Sequence, residues 1–147
     1  MALTIRSRAV LLVTVAVLLP LLAYLRDPPW LHDVTTGLGA WQVDETGERY
    51  RWTGARASFF VPADSTTISL TMRALNDTPE DWPINAMITV DDRPAQLVPF
   101  PDESWRTIRI RLPPPGERAV RRIDIHLDRV RRHQPGIQLR EPRLDRQ

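Results

Sequence analysis

The chain has 147 residues, 42% of them hydrophobic, and 20 basic against 18 acidic side chains leave a net charge of +2. One domain fits that length, and a balance so close to neutral carries no global signal for nucleic acid. There is no cysteine, which excludes a disulfide framework, a thiolate nucleophile and a zinc–thiolate site.

The first predicted element is a membrane span. Arg6 and Arg8 precede an uncharged run from Ala9 to Leu25, 17 residues closed by Arg26 and Asp27. At about 1.5 Å per residue, a helix over that run reaches roughly 25 Å, the short end of a span, with Pro20 near its end where a lost backbone bond matters least. The basic flank stays in the cytoplasm. That predicts residues 1–8 inside, a transmembrane signal anchor over 9–25, and a bacterial cell-membrane protein whose remaining chain is extracytoplasmic. A cleaved signal peptide shares the basic start and apolar centre, but Leu21-Leu22-Ala23 is not a small-x-small cleavage site, so the uncleaved anchor is preferred. Arg26 to Trp30 (RDPPW) begins a proline-stiffened stalk over 26–37.

From residue 38 to 147 no helical periodicity is sustained, and short alternating runs recur between turn signals. Gly39 to Val43 and Arg49 to Thr53 flank a turn at Asp44–Glu48, where Gly47 supplies the positive φ of a hairpin. Ala55 to Val61 alternates and ends at Pro62. Thr66 to Ala74 is the clearest half-buried strand, with Ile68, Leu70, Met72 and Ala74 inside and Thr67, Ser69, Thr71 and Arg73 outside. A polar loop over 75–83 leads to Ile84–Val90, a tight turn at Asp91-Asp92, and Arg93–Phe100. Trp105 to Leu112 points Ile108, Ile110 and Leu112 inward and Arg109 and Arg111 outward. Pro113-Pro114-Pro115-Gly116 breaks the chain. Val120 to Asp128 buries Ile123, Ile125 and Leu127 and turns Asp124 and His126 out, and Ile137–Leu144 closes the domain. Eight or nine strands at these spacings predict an all-β fold, an antiparallel β-sandwich behind one N-terminal helix.

Charge is unevenly placed. From Asp27 to Glu103 there are 5 Arg and 13 Asp plus Glu, a balance of −8, and from Ser104 to Gln147 there are 12 Arg and 5 Asp plus Glu, a balance of +7. Either the two halves complement one another within the fold, or the basic half meets an anionic partner.

Several stretches carry a family resemblance: Gly39-Ala40-Trp41, the hairpin Glu48-Arg49-Tyr50-Arg51-Trp52-Thr53, Ala55–Val61, the turn Val90-Asp91-Asp92, Ser104-Trp105, and Gly136-Ile137-Gln138-Leu139. Over residues 38–144 the chain resembles the extracytoplasmic jelly-roll-like domains that accompany membrane glycosyltransferases and other cell-envelope polysaccharide proteins in bacteria. The pattern departs at Asp92, where Gly is more usual, and in the basic stretch Val130–Pro135. The resemblance implies a jelly-roll-like sandwich with an accessory, non-catalytic role.

Read for chemistry, the chain points to binding. It has no G-x-S-x-G, H-E-x-x-H or P-loop motif. Of the three His, His32 is in the stalk, His133 lies in an Arg-rich loop, and His126 faces outward beside Asp124 and Asp128 as part of a solvated ion cluster. Asp44, Glu45, Glu48, Asp91 and Asp92 are turn formers for backbone reasons, so no metal or other cofactor is expected. Among five Trp, Trp41, Trp52 and Trp105 are expected to pack, Trp30 to rest at the membrane interface, and Trp82, in the longest polar loop, to contact a ligand. Together with Arg51 of the Arg51-Trp52-Thr53 element and the run Arg129, Arg131 and Arg132, Trp82 makes up the candidate binding set.

These readings converge on a non-catalytic, membrane-anchored accessory or binding domain of the cell envelope, linked to surface polysaccharide assembly or glycan binding. Its partners would be the membrane, through the helix, and a membrane glycosyltransferase or a polysaccharide, with no nucleic acid. The alternative is a structural subunit of a membrane complex that touches no glycan. A hydrolase would require paired carboxylates in a cleft.

Overall fold

The computed structural model describes residues 5–75, 82–130 and 136–146. Helix α1 (Ile5–Arg26) spans 22 residues with Pro20 inside, and at about 1.5 Å per residue it reaches roughly 33 Å, enough to cross a bilayer core. It is the one helix among the described residues long and apolar enough to do so, and no part of that apolar window is covered by the rest of the chain.

A short 3-10 turn (Leu31–Asp33) leads into ten strands: β1 (Thr35–Leu38), β2 (Gln42–Val43), β3 (Arg49–Pro62), β4 (Ser65–Ala74), β5 (Ile84–Val90), β6 (Arg93–Phe100), β7 (Arg106–Arg111), β8 (Val120–Leu127), β9 (Ile137–Arg140) and β10 (Arg143–Arg146). All strand pairings among the described residues are antiparallel, and β3 belongs to both sheets. Its second half pairs with β1 and β8, which continues through β5 to β6. Its first half pairs with β2 and β9, β9 and β10 run along one edge of β4, and β7 runs along the other. The result is a jelly-roll-like β-sandwich.

Alternation builds the core. β4 reads buried at every second residue from Ile68 to Ala74, and β5 does so from Ile84 to Val90. Their inward side chains meet Phe59, Val98, Phe100, Ile110, Ile123, Ile125, Ile137 and Leu139 in one cluster, the burial that supplies most of the folding free energy.

The strand readings differ from the structure in four places. The end of the expected stalk is β1, which lacks apolar alternation but pairs with β3 around Gly37. That glycine has φ +64°, and a Cβ there would lie 1.8 Å from the Arg56 carbonyl oxygen. The runs at 49–53 and 55–61 form a single strand that changes sheet near Gly54. There Thr53 is buried, its Oγ1 accepting the Ile137 N–H at 3.0 Å and its carbonyl the Gly136 N–H at 2.6 Å. The closing run is two strands separated by Glu141-Pro142. Asp124, expected in solvent, is 6% exposed, because Ser58 Oγ (2.6 Å), Thr89 Oγ1 (3.3 Å) and Arg122 Nε (3.0 Å) all donate to its carboxylate. A carboxylate so satisfied loses little by leaving water.

The two charge halves do complement one another. Buried Arg121 donates to the Ala63 and Pro113 carbonyls at 3.3 and 2.6 Å and pairs with Asp91 at 3.6 Å, tying three turns at one end of the sandwich. At that end the foot of α1 meets the β7–β8 loop: Arg26 pairs with Glu117, and Arg118 lies 3.7 Å from Asp27 and donates to the Arg26 carbonyl at 3.3 Å.

Candidate functional site

Directly opposed residues of antiparallel strands project from one face, about 4.5–5.5 Å apart. Register therefore assembles the outer face of the β2-β3-β9/β10-β4-β7 sheet from residues far apart in sequence. One row runs Trp52–Gln138–Arg73. The next holds Tyr50 opposite Arg140 and Thr71 opposite Thr107, whose hydroxyls are 2.8 Å apart. A third runs Arg143–Ser69–Arg109, and a fourth Asp145–Thr67–Arg111.

Trp105 closes one side. Asp102 positions it by accepting the Ser104 hydroxyl, the Ser104 N–H at 2.9 Å and an Arg106 N–H at 3.0 Å, and these bonds, the Ser104 hydroxyl's foremost, hold the Asp102 carboxyl below its ordinary range. The indole ring lies under two guanidinium groups, Arg73 at 4.7 Å and Arg140 at 4.2 Å from its centroid. Arg73 Nε in turn donates to buried Gln138 at 2.5 Å.

Arg140 extends from the ring to Asp44 at 2.9 Å and Glu48 at 3.0 Å in the β2–β3 turn. Asp44 also accepts the Thr46 hydroxyl (2.6 Å) and the Thr46 and Glu48 N–H groups. With the Thr46 bond foremost, these partners hold its carboxyl down at about 2.

Beside Arg140 lies a groove of about 870 Å³. Ser69, Thr71 and Thr107 form its floor, Arg109, Arg140 and Arg143 supply guanidinium groups, and Glu48, Glu141 and Asp145 supply carboxylates. The volume is that of small-molecule sites, but the lining is polar. Hydroxyls donate and accept, guanidinium only donates and carboxylate only accepts, so the groove offers both senses of hydrogen bond over a continuous surface.

The candidate binding residues lie elsewhere. Arg51 is half-buried at the edge of the sheet, its guanidinium 4.5 Å from the Trp41 centroid with Arg49 at 4.8 Å over the same ring. Burial lowers its pKa, opposed by Glu141. Trp82 is half-buried and packs against the core. Arg129 is exposed just beyond β8, at the end of the sandwich opposite the foot of α1. Arg131, Arg132 and His133 lie outside the described residues. The groove residues Ser69, Thr71, Thr107 and Arg109 were readable only as the solvent side of alternating strands, and Arg140 and Arg143 carried no signal before register joined them.

No protein-family model matches the chain, and no curated protein matches it. Solved structures do. The salicylyl-acyltransferase SsfX3 of a tetracycline biosynthetic pathway superimposes with TM-score 0.51 at 13% identity, over 77% of this chain and 36% of that one. This chain thus corresponds to little more than a third of the acyltransferase. A family 35 carbohydrate-binding module from Clostridium thermocellum gives TM-score 0.47 at 16% identity, over 73% of this chain and 86% of the module, and a family 4 module gives 0.44 at 17%, over 75% and 77%. At such identities the likeness concerns the fold.

Proposed function

We propose that this chain is a non-catalytic, membrane-anchored domain of the cell envelope that binds a polyhydroxylated ligand, a glycan, in the groove on its outer sheet face. The observation that carries the reading is the groove lining, with three hydroxyls on the floor and guanidinium and carboxylate groups on the walls. A sugar presents alternating donors and acceptors, and such a surface matches them without asking any one group to be buried unpaired. Recognition here is by hydrogen bonding rather than by stacking, since one ring neighbouring the groove, Trp105, already carries two guanidinium groups. The exposed apolar surface of α1, from Val10 to Leu25, supports the anchor. Tethering would raise the effective concentration of a weak contact beside a membrane glycosyltransferase or its polysaccharide product.

The test is isothermal titration of the full-length protein, in zwitterionic lipid nanodiscs, with neutral and acidic hexasaccharides. Binding by either class that Thr71→Val with Thr107→Val weakens supports the reading. No binding to any of them overturns it and leaves the structural-subunit role.

A further inference from the structure

Resting on the groove as a glycan site, we infer that its ligand is acidic: the row Arg143–Ser69–Arg109 is a seat for a carboxylate or phosphate ester carried on the polyhydroxylated chain. Arg143 pairs with Ser69 from one side and Arg109 from the other, and all three line the groove. The two arginine backbones thus stand about 10 Å apart across one serine, a span that two extended guanidinium side chains close over a single anion. The Ser69 hydroxyl lies between them as a further donor.

The charges around the row are not equivalent. Arg140 is committed to Asp44, Glu48 and the Trp105 ring. Arg143 makes no side-chain ion pair or hydrogen bond among the described residues. Arg109 has one ion pair, with Asp145 at 3.6 Å, and the two side chains are 73% and 59% exposed. A pair that long and that open to water contributes little and gives way to a better acceptor. Of the carboxylates facing the groove, Glu48 is held by Arg140 and Asp145 by Arg109, while Glu141 acts on Arg51. Arg111, opposite Thr67 in the next row, adds positive potential on the open side. One free fork and one held only by a long, exposed pair, flanking one hydroxyl, suit a planar carboxylate or a phosphate, which each guanidinium can grip with two bonds. The Thr71–Thr107 floor one row away then meets the ligand's hydroxyls.

The test uses full-length protein in zwitterionic nanodiscs and three probes: hexagalacturonate, the same hexamer fully methyl-esterified, and an oligomer of glycerol phosphate. The expected result is that hexagalacturonate or the glycerol phosphate oligomer binds on the order of tenfold more tightly than the ester, and that Arg109→Gln with Arg143→Gln abolishes the preference while Arg56→Gln with Arg93→Gln, the same loss of two charges on the opposite sheet, leaves it. The better of the two acidic probes tells carboxylate from phosphate. Equal binding of acid and ester overturns the inference and leaves the groove as a glycan site. Acid preference unchanged in the double variant also overturns it. Failure of all three probes to bind overturns the glycan reading and this inference with it.

Discussion

Arg140 and Asp44 join the two ends of the candidate site: the guanidinium at the end of β9 donates to Asp44 Oδ2 at 2.9 Å in the β2–β3 turn, with both side chains largely withdrawn from water. Asp44 therefore does two jobs, folding its own turn around Thr46 and Glu48 and fixing the arginine that walls the groove. Its carboxyl titrates at about 2 in the fold, against an unfolded value near 3.9.

A group whose folded pKa is depressed stabilises the fold at pH values above its unfolded pKa, and that contribution disappears as pH falls through the folded one. The thermal midpoint of the wild type, followed by circular dichroism, should fall between about pH 4 and pH 2. Asp44→Asn should start lower at neutral pH and lose less over that window. Parallel curves for the two proteins would contradict the role given to Asp44.

Trp105 and Arg140 should prove energetically coupled. A guanidinium over an indole is worth about 0.5–1 kcal/mol when exposed and more when desolvated. In a double-mutant cycle of Trp105→Leu and Arg140→Gln, urea unfolding should show a coupling on the order of 0.5–1 kcal/mol. Additivity within about 0.3 kcal/mol would mean that the ring and the guanidinium are neighbours without being partners.

Arg118 should govern how firmly the sandwich is held to the foot of α1. It reaches Asp27 and the Arg26 carbonyl, beside the Arg26–Glu117 pair. Such exposed pairs are individually weak, so the effect belongs to local opening rather than global stability. Amide exchange over 27–34 should quicken severalfold in Arg118→Glu, with the core strands unchanged, and slow again in Asp27→Arg with Arg118→Glu. Unaltered exchange in the single variant would show that the foot of the helix is positioned by other contacts.

The sandwich was largely legible because β4 to β8 alternate cleanly, so one apolar face per strand marks the core. β1 was not, because TTGL carries no alternation and its residues remain mostly exposed. The continuity of β3 was masked by Gly54, which in sequence looks like a break and in the fold is the place where the strand changes sheet. Asp124 was misread because its partners, Ser58 and Thr89, come from neighbouring strands. The groove shares that difficulty. Thr71 and Thr107 are 36 residues apart, and only pairing register sets them side by side, whereas Trp82 drew notice through composition and lies against the core.

The most direct test of the account is hydrogen–deuterium exchange on the full-length protein in nanodiscs, with and without hexagalacturonate at saturating concentration. Protection should appear over residues 69–71 of β4, 107–109 of β7 and 140–145 across the β9–β10 join, the segments that line the groove. Protection confined to the end of the sandwich opposite the foot of α1, around Trp82 and Arg129, with no change in those segments, would contradict it.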